Sequence, residues 1–147
     1  MSPPASLARR QLLRLGAGLP LLACRSRPEE TGEVCPDVQP DEQWVELPLE
    51  QWPELAAVGI GVPVDIPEQF ATLIVIQESE GCYVALWRIC THGACEVVFH
   101  EGQVICPCHG SRFSLEGEVL EGPATRALVA WEAGLQGASV WLRRPSA

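Results

Sequence analysis

Hydrophobic residues occur along this chain in short runs that are separated by glycine, proline and Glu-Gly turns. The runs are two to seven residues long and rich in β-branched and aromatic residues, a pattern typical of β-strands. They span residues 44–49, 71–76, 83–89, 97–99, 104–105, 127–131 and 138–142. One brief helical candidate lies at residues 53–58. The pattern predicts an all-β fold, an antiparallel β-sandwich or small barrel, with one core and no internal repeat.

The composition changes at residue 44, where the large apolar residues become frequent. Residues 25–43 are rich in proline, glutamate and aspartate, which predicts a tether, and residues 44–147 then form one domain. The chain has no lysine, and its formal net charge is −9. This charge argues against nucleic acid as a partner and favours a basic docking partner, with a merely solubilising acidic surface as the alternative.

The first 24 residues are similar to an export signal. A basic region with Arg9 and Arg10 resembles a twin-arginine motif, and an apolar run follows at residues 15–23. This run has nine residues, whereas a membrane-spanning helix needs about 20. Residues 21–24 resemble a lipoprotein cleavage box, which predicts lipidation of Cys24 and attachment to the periplasmic side of the cell membrane. The alternatives are cleavage to a soluble form and an amphipathic segment that is not an export signal.

Two short segments rich in cysteine and histidine carry the candidate chemistry. Cys90 and His92 are separated by one residue, and Cys106 and His109 by two. Two tight turns at these positions would offer two thiolates and two imidazoles to one buried inorganic site. Thiolates are soft ligands suited to iron-sulfur clusters, and imidazole binds both iron and zinc. The same four ligands can also hold a structural zinc ion, which would have no redox role.

Together the two segments resemble the Rieske 2Fe-2S family, and the resemblance covers about residues 71–143. It implies a 2Fe-2S cluster in which Cys90 and Cys106 bind one iron and His92 and His109 bind the other. Each ligating histidine keeps one ring nitrogen that can exchange a proton. Reduction should therefore raise the pKa values of the histidines, and the reduction potential should fall as pH rises.

The resemblance also implies how the loops around the cluster are held. Cys95 and Cys108 match a cysteine pair that many membrane-linked members of the family close into a disulfide. Gly122 and Pro123 are similar to a third loop that covers the cluster. The expected cluster-binding subdomain spans about residues 88–124 and rests on a larger β base.

Two further residues are expected to tune the reduction potential. Ser111 matches a family serine whose hydroxyl donates a hydrogen bond to a bridging sulfide, which stabilises the reduced state. Phe113 occupies the position at which high-potential members have a tyrosine that donates to a ligand thiolate. One donor is therefore missing, and we expect an intermediate potential within the about −150 to +300 mV open to such centres.

The resemblance implies an electron carrier rather than an enzyme that acts alone. We expect an exported, membrane-tethered protein that passes one electron at a time to or from a redox partner. The candidate partners are a c-type cytochrome, a cytochrome b complex and an exported oxidase. The alternatives are the Rieske subunit of a quinol–cytochrome c oxidoreductase, the small subunit of a periplasmic arsenite-oxidase-like enzyme, and a structural zinc-binding module.

Two cysteines remain after these assignments, Cys35 and Cys82. An even remainder in an oxidising compartment favours a second disulfide, but the sequence does not give the distance between the two residues. If the bond forms, the free tether would end near residue 34.

Overall fold

The computed structural model describes residues 35–146, in which the chain forms ten β-strands and two short 3-10 turns. The fold is nearly all β, as the pattern of apolar runs predicts. The 3-10 turns are Pro53–Ala56 and Pro67–Gln69, and each has a proline in its first turn. The strands are β1 (Val45–Pro48), β2 (Gly61–Ile66), β3 (Ala71–Ser79), β4 (Cys82–Trp87), β5 (Val98–His100), β6 (Gln103–Ile105), β7 (Arg112–Phe113), β8 (Val119–Glu121), β9 (Ala130–Gln136) and β10 (Ser139–Arg143).

Six antiparallel strands form one sheet in the order β1-β10-β9-β4-β3-β2, which we call the base. Strand β3 is the longest, and a run of its residues from Leu73 is buried. On β2 the buried positions alternate with exposed ones, and exposed Pro63 is tolerated because β2 is an edge strand. The core of the base includes Leu55, Val62, Val64, Leu73, Val75, Tyr83, Trp131, Val140 and Leu142.

The chain between β4 and β9, residues 88–129, forms an insert on this base. It leaves and returns at neighbouring strands, because β4 and β9 pair directly at Ala85–Trp131 and Leu86–Ala130. Within the insert, β5, β6, β7 and β8 form a four-stranded antiparallel sheet whose strands are only two or three residues long. The whole of the predicted cluster-binding region, residues 88–124, therefore lies in this insert.

A second apolar core joins the insert to the base. A glycine permits their close approach, since a Cβ atom on Gly61 of β2 would stand 2.4 Å from the Cβ of Phe99 on β5. The two predicted thiolate ligands belong to this core, so their environment is dry on the protein side. Its buried members are Ile74, Ile76 and Leu86 from the base and Cys90, Val97, Val104, Cys106, Phe113, Ala124 and Leu128 from the insert.

Residues 35–38 lie against the base, so the predicted tether over residues 25–43 is wrong for this part. Cys35 and Cys82 form the disulfide that the sequence left open, with Cα atoms 5.0 Å apart. Val38 is 5% exposed, and a Cβ atom on Gly134 would stand 2.5 Å from its Cγ1 atom. A covalent bond and a buried valine hold this segment in place, so residues 35–38 are not part of a free tether.

Three strands had not been predicted from the apolar runs. Strands β7 and β8 have two and three residues, too few for a clear pattern, and proline obscured the alternation in β2. The run at residues 127–131 lies mostly before its strand, since β9 begins at Ala130. Residues 1–34, with the predicted signal and Cys24, lie outside the described residues. Within residues 35–146, no helix is long and apolar enough to cross a membrane.

Candidate metal centre

The two ligand loops have the same backbone hydrogen bonds. In the first loop, the Cys90 N–H donates to the carbonyl of Cys95 at 2.7 Å, and the Ala94 N–H donates to the carbonyl of Cys90 at 3.1 Å. In the second loop, the Cys106 N–H donates to the backbone carbonyl of Ser111 at 2.8 Å, and the Gly110 N–H donates to the backbone carbonyl of Cys106 at 2.9 Å. Each loop thus folds six residues into one closed turn.

Both turns place a residue in the left-handed region at their fifth position. Ala94 has φ 57° and Gly110 has φ 78°. Glycine adopts this conformation without strain, whereas alanine does so at a cost, which the closed hydrogen bonds of the first loop offset. The common geometry explains why a C-x-H and a C-x-x-H segment can present their ligands together.

The thiols of the two loops lie on the buried side of the site. Cys90 is 3% exposed and Cys106 is 1% exposed. Burial raises the pKa of the Cys90 thiol, but hydrogen bonds to its sulfur outweigh this effect and lower the pKa below its usual value. The donors are the backbone N–H groups of His92 and Gly93 and the side chains of Cys106 and Ser111. These donors therefore favour the thiolate form of Cys90, which is the form that binds metal.

The imidazoles lie on the opposite, solvent-exposed side. The rings of His92 and His109 meet edge to face, with centroids 4.8 Å apart. Gly93 lies next to this pair, and a Cβ atom at that position would stand in ordinary van der Waals contact with Cε1 of His109, at 3.6 Å. Both residues are exposed, so the imidazoles are accessible to water and to a docked protein.

Ser111 connects all three loops of the site. It is fully buried, and its Oγ atom accepts a hydrogen bond from the Ala124 N–H at 2.9 Å. Its hydroxyl also contacts the Cys90 sulfur. Ala124 follows Gly122 and Pro123, whose peptide bond is cis, so the hydrogen bond attaches the predicted third loop to the second.

The predicted brace between the loops is present. Cys95 and Cys108 form a disulfide with a Cα–Cα distance of 6.5 Å. Phe113 is fully buried beneath the second loop, in the core that also contains Cys106. The phenyl ring therefore fills apolar space at the position where a tyrosine would supply a donor.

The donor set suits a cluster better than a single ion. Within residues 35–146, the group of three or more ligand atoms that lie within 4.8 Å of one another consists of Cys95, Cys106 and Cys108. Two of these sulfurs are joined in the disulfide and cannot act as thiolates. A single zinc ion with Zn–S of about 2.3 Å and Zn–N of about 2.0 Å would need all four predicted ligands in such a tight group. Two buried thiols and two exposed imidazoles instead fit the two irons of a 2Fe-2S cluster.

Sequence reasoning missed several residues that shape the site. Thr91 donates from its Oγ1 atom to the carbonyl of Arg126 at 2.6 Å, which joins the first loop to the chain that follows the third. Trp87 also lies beside the first loop, with the guanidinium of Arg144 5.9 Å from its ring centroid. No sequence motif marked these residues, because they approach the loop from separate segments of chain.

A comparison with family models matches residues 56–132 to the Rieske [2Fe-2S] domain. Among curated relatives, the cytochrome b6-f complex iron-sulfur subunit of Synechococcus sp. (strain JA-3-3Ab) is 38% identical over 105 residues, covering 58% of this chain and 61% of that protein. The subunit of the same name from Chlorobaculum thiosulfatiphilum is 33% identical over 69 residues, or 46% of this chain and 38% of that protein. The chain thus spans less than two thirds of the length of either relative.

Among solved structures, the cyanobacterial plasma membrane Rieske protein from Synechocystis PCC 6803 is similar to this fold. It has 29% sequence identity and a TM-score of 0.51, over 56% of this chain and 85% of that chain. The similarity accords with the two antiparallel sheets described above.

Proposed function

The chain belongs to the Rieske [2Fe-2S] domain family, whose cofactor is a 2Fe-2S cluster, and on this premise we propose that it is a one-electron carrier. The observation that carries the proposal is the convergence of two buried thiols and two exposed imidazoles on two matched loops. In this proposal Cys90 and Cys106 hold one iron, and His92 and His109 hold the other. When bound, the cluster supplies one-electron redox chemistry.

The residues around the ligands have separate tasks in this proposal. The buried thiols exclude water from one side, so electrons enter and leave at the exposed side, where His92 and His109 meet solvent. Each imidazole holds or releases a proton at its outward nitrogen, which couples proton transfer to electron transfer. Ser111 donates to sulfur and favours added negative charge, which raises the reduction potential.

We further propose that the protein works at the periplasmic face of the cell membrane, exported by its twin-arginine-like segment and tethered through a lipid on Cys24. The similarity to a plasma membrane Rieske protein supports this placement. Palmitate labelling of the expressed wild type should be lost in Cys24→Ser. An unlabelled wild-type protein would remove the lipid anchor from the proposal while leaving electron transfer intact.

A second candidate is a subunit of a cytochrome complex. The curated relatives reported above are iron-sulfur subunits of cytochrome b6-f complexes, which favours a cytochrome as partner. Co-purification of the full chain from membranes would distinguish the two forms, since a subunit would elute with haem proteins and a separate carrier would elute alone.

The test of the core proposal is a redox titration of the purified protein followed by EPR at several pH values. We expect a reduced-state signal with the low average g value of a histidine-ligated cluster and a midpoint that falls at alkaline pH. His92→Gln and His109→Gln should each lose the signal. The matched control is His100→Gln, since His100 is an exposed residue of the β5–β6 hairpin. A colourless wild-type protein that contains zinc would overturn the proposal.

A further inference from the structure

Two arginines near the first ligand loop differ from the other arginines in residues 35–146. Three arginines pair with carboxylates: Arg88 with Glu96, Arg112 with Glu121 at 3.4 Å, and Arg143 with Glu132 at 2.5 Å. In the same part of the chain, neither Arg126 nor Arg144 has a carboxylate within ion-pairing distance.

Both of these arginines line one groove beside the predicted cluster. The groove is open, has a volume of about 840 Å³, and is bordered on one side by Cys90, Thr91 and His92. Arg126 and Arg144 are 18 positions apart in sequence, so only the fold brings them to one place. We call this feature the anion groove.

Aromatic residues form the wall of the anion groove and orient one of its cations. The guanidinium of Arg144 lies over Trp131, 5.3 Å from the ring centroid, and over Trp87 at 5.9 Å. It also donates to the carbonyl of Gln69 at 2.5 Å. Cation–π contacts hold a guanidinium without neutralising its charge, so the positive charge stays available to an anion.

The charge of the groove is opposite to the net charge of the insert. The insert carries exposed carboxylates at Glu96, Glu101, Glu116, Glu118 and Glu121. A wholly acidic partner would therefore be repelled from most of the insert. A partner that offers a carboxylate at the centre of its contact surface and cations around it would be attracted in one orientation, with its contact surface against His92.

We propose that the anion groove is the docking site for a carboxylate-bearing segment of the redox partner protein. The proposal rests on the electron-transfer function above, and it adds the chemistry of the contact. Arg126 and Arg144, which are exposed, bind the carboxylate, while the partly exposed Trp87 packs against the apolar residues beside it. Docking there places the partner next to the exposed imidazole edge of the site.

The first test compares the oxidation rates of the reduced holoprotein by two small oxidants of opposite charge. Ferricyanide is an anion and tris(phenanthroline)cobalt(III) is a cation, and each accepts one electron. At low ionic strength, Arg126→Gln and Arg144→Gln should each slow the ferricyanide reaction about fivefold without slowing the cobalt reaction. The matched control is Arg112→Gln, which removes the same charge from the insert away from the groove. Equal slowing in all three variants, or no slowing in any, would overturn the proposal.

The second test measures binding without electron transfer. Titration with acetyl-Gly-Glu-Leu-Glu-Gly-amide should change the tryptophan fluorescence of the wild type, and the change should be lost in the Arg126→Gln/Arg144→Gln double variant. The glutamine analogue of the peptide should produce no change. Sulfate that competes as well as the peptide at equal ionic strength would mean that any small anion is bound, which contradicts the proposal.

The chain's own acidic segment is the competing occupant. If a variant with Glu29, Glu30 and Glu33 changed to glutamine binds the peptide more tightly than a charge-matched variant with Glu101, Glu116 and Glu118 changed to glutamine, these residues occupy the groove and the partner proposal fails. A failure of the carrier function would appear in EPR and in the oxidation rates, whereas the fluorescence titration does not depend on electron transfer and tests the groove by itself. If the groove does not bind carboxylates, the EPR signal stays as expected, and only the oxidation rates of the arginine variants and the peptide titration show the failure.

Discussion

The base and the insert are stabilised in different ways. Strands of the base have four to nine residues, and they surround a core of buried aliphatic and aromatic side chains. Strands of the insert have two or three residues, and its core includes the two candidate thiolates. The base therefore has a large apolar core, to which the Cys35–Cys82 disulfide attaches residues 35–38, whereas the insert has a small core and depends on a disulfide between its ligand loops, on buried hydrogen bonds and, in the proposed function, on its metal ligands.

The largest expected effects come from removing each disulfide in turn. Loss of Cys35–Cys82 opens a loop 47 residues long in sequence, and Cys35→Ser/Cys82→Ser should lower the free energy of unfolding by about 4 kcal/mol. Loss of Cys95–Cys108, across 13 residues, should cost about 3 kcal/mol. Urea unfolding measures both values.

The two disulfide variants should differ in iron content. Cys95→Ser/Cys108→Ser should lose the cluster signal in EPR, because the brace joins the two ligand loops. Cys35→Ser/Cys82→Ser should keep it, because that bond lies in the base. If both variants lost the same amount of iron, cluster binding in the insert would not depend specifically on the Cys95–Cys108 disulfide.

A smaller effect is expected from the buried serine of the insert. Ser111→Ala removes the acceptor for the Ala124 N–H and a donor to the Cys90 sulfur. We expect a loss of about 1.5 kcal/mol in stability and a midpoint potential lower by about 60 mV. The control is Ser139→Ala in the base, where the hydroxyl donates to Glu46 at 2.7 Å. The control should lose stability without a change in potential, and an equal shift in both would contradict the comparison.

Phe113→Tyr tests the same effect by adding a hydrogen-bond donor to the insert, whereas Ser111→Ala removes one. Adding a donor beneath the second loop should raise the midpoint potential by about 40 mV, equivalent to about 1 kcal/mol for one electron. Redox titration of the variant beside the wild type measures the shift. An unchanged potential in a folded, iron-replete variant would remove the argument that one donor is missing.

The smallest expected effect concerns Tyr83 in the base. Its hydroxyl donates to the carbonyl of Leu55 at 2.9 Å, and burial raises the pKa of the phenol above the usual 10.0. The folded state thus keeps its proton to higher pH than the unfolded state, so this contribution is complete below about pH 10 and is lost as pH rises further.

Tyr83→Phe should cost about 1 kcal/mol at neutral pH and reduce the decline of stability above pH 10. Denaturant unfolding at pH 7 and pH 10.5 provides the measurement. The reduction potential should not change, because Tyr83 belongs to the core of the base.

Much of the fold could be predicted because local patterns were strong. The runs at residues 71–76 and 83–89 correspond to β3 and β4, and the Glu-Gly turn at residues 101–102 joins β5 to β6. The short strands β7 and β8 could not be predicted, since two or three residues carry no periodicity and pairing with neighbours decides their conformation. The roles predicted for Cys90, His92, Cys106 and His109 stay predictions until iron is measured.

The sequence by itself determined the two ligand segments, their spacing and the all-β class, because these depend on residue type and on order over short distances. The tertiary structure decided which surface the site presents. It joined Cys35 to Cys82 across 47 positions, placed Ser111 between two other loops, and brought Arg126 and Arg144 into one groove. Such contacts depend on how β4 and β9 pair and on how the insert packs against the base. They join residues that are far apart in sequence, so no local pattern in the chain encodes them.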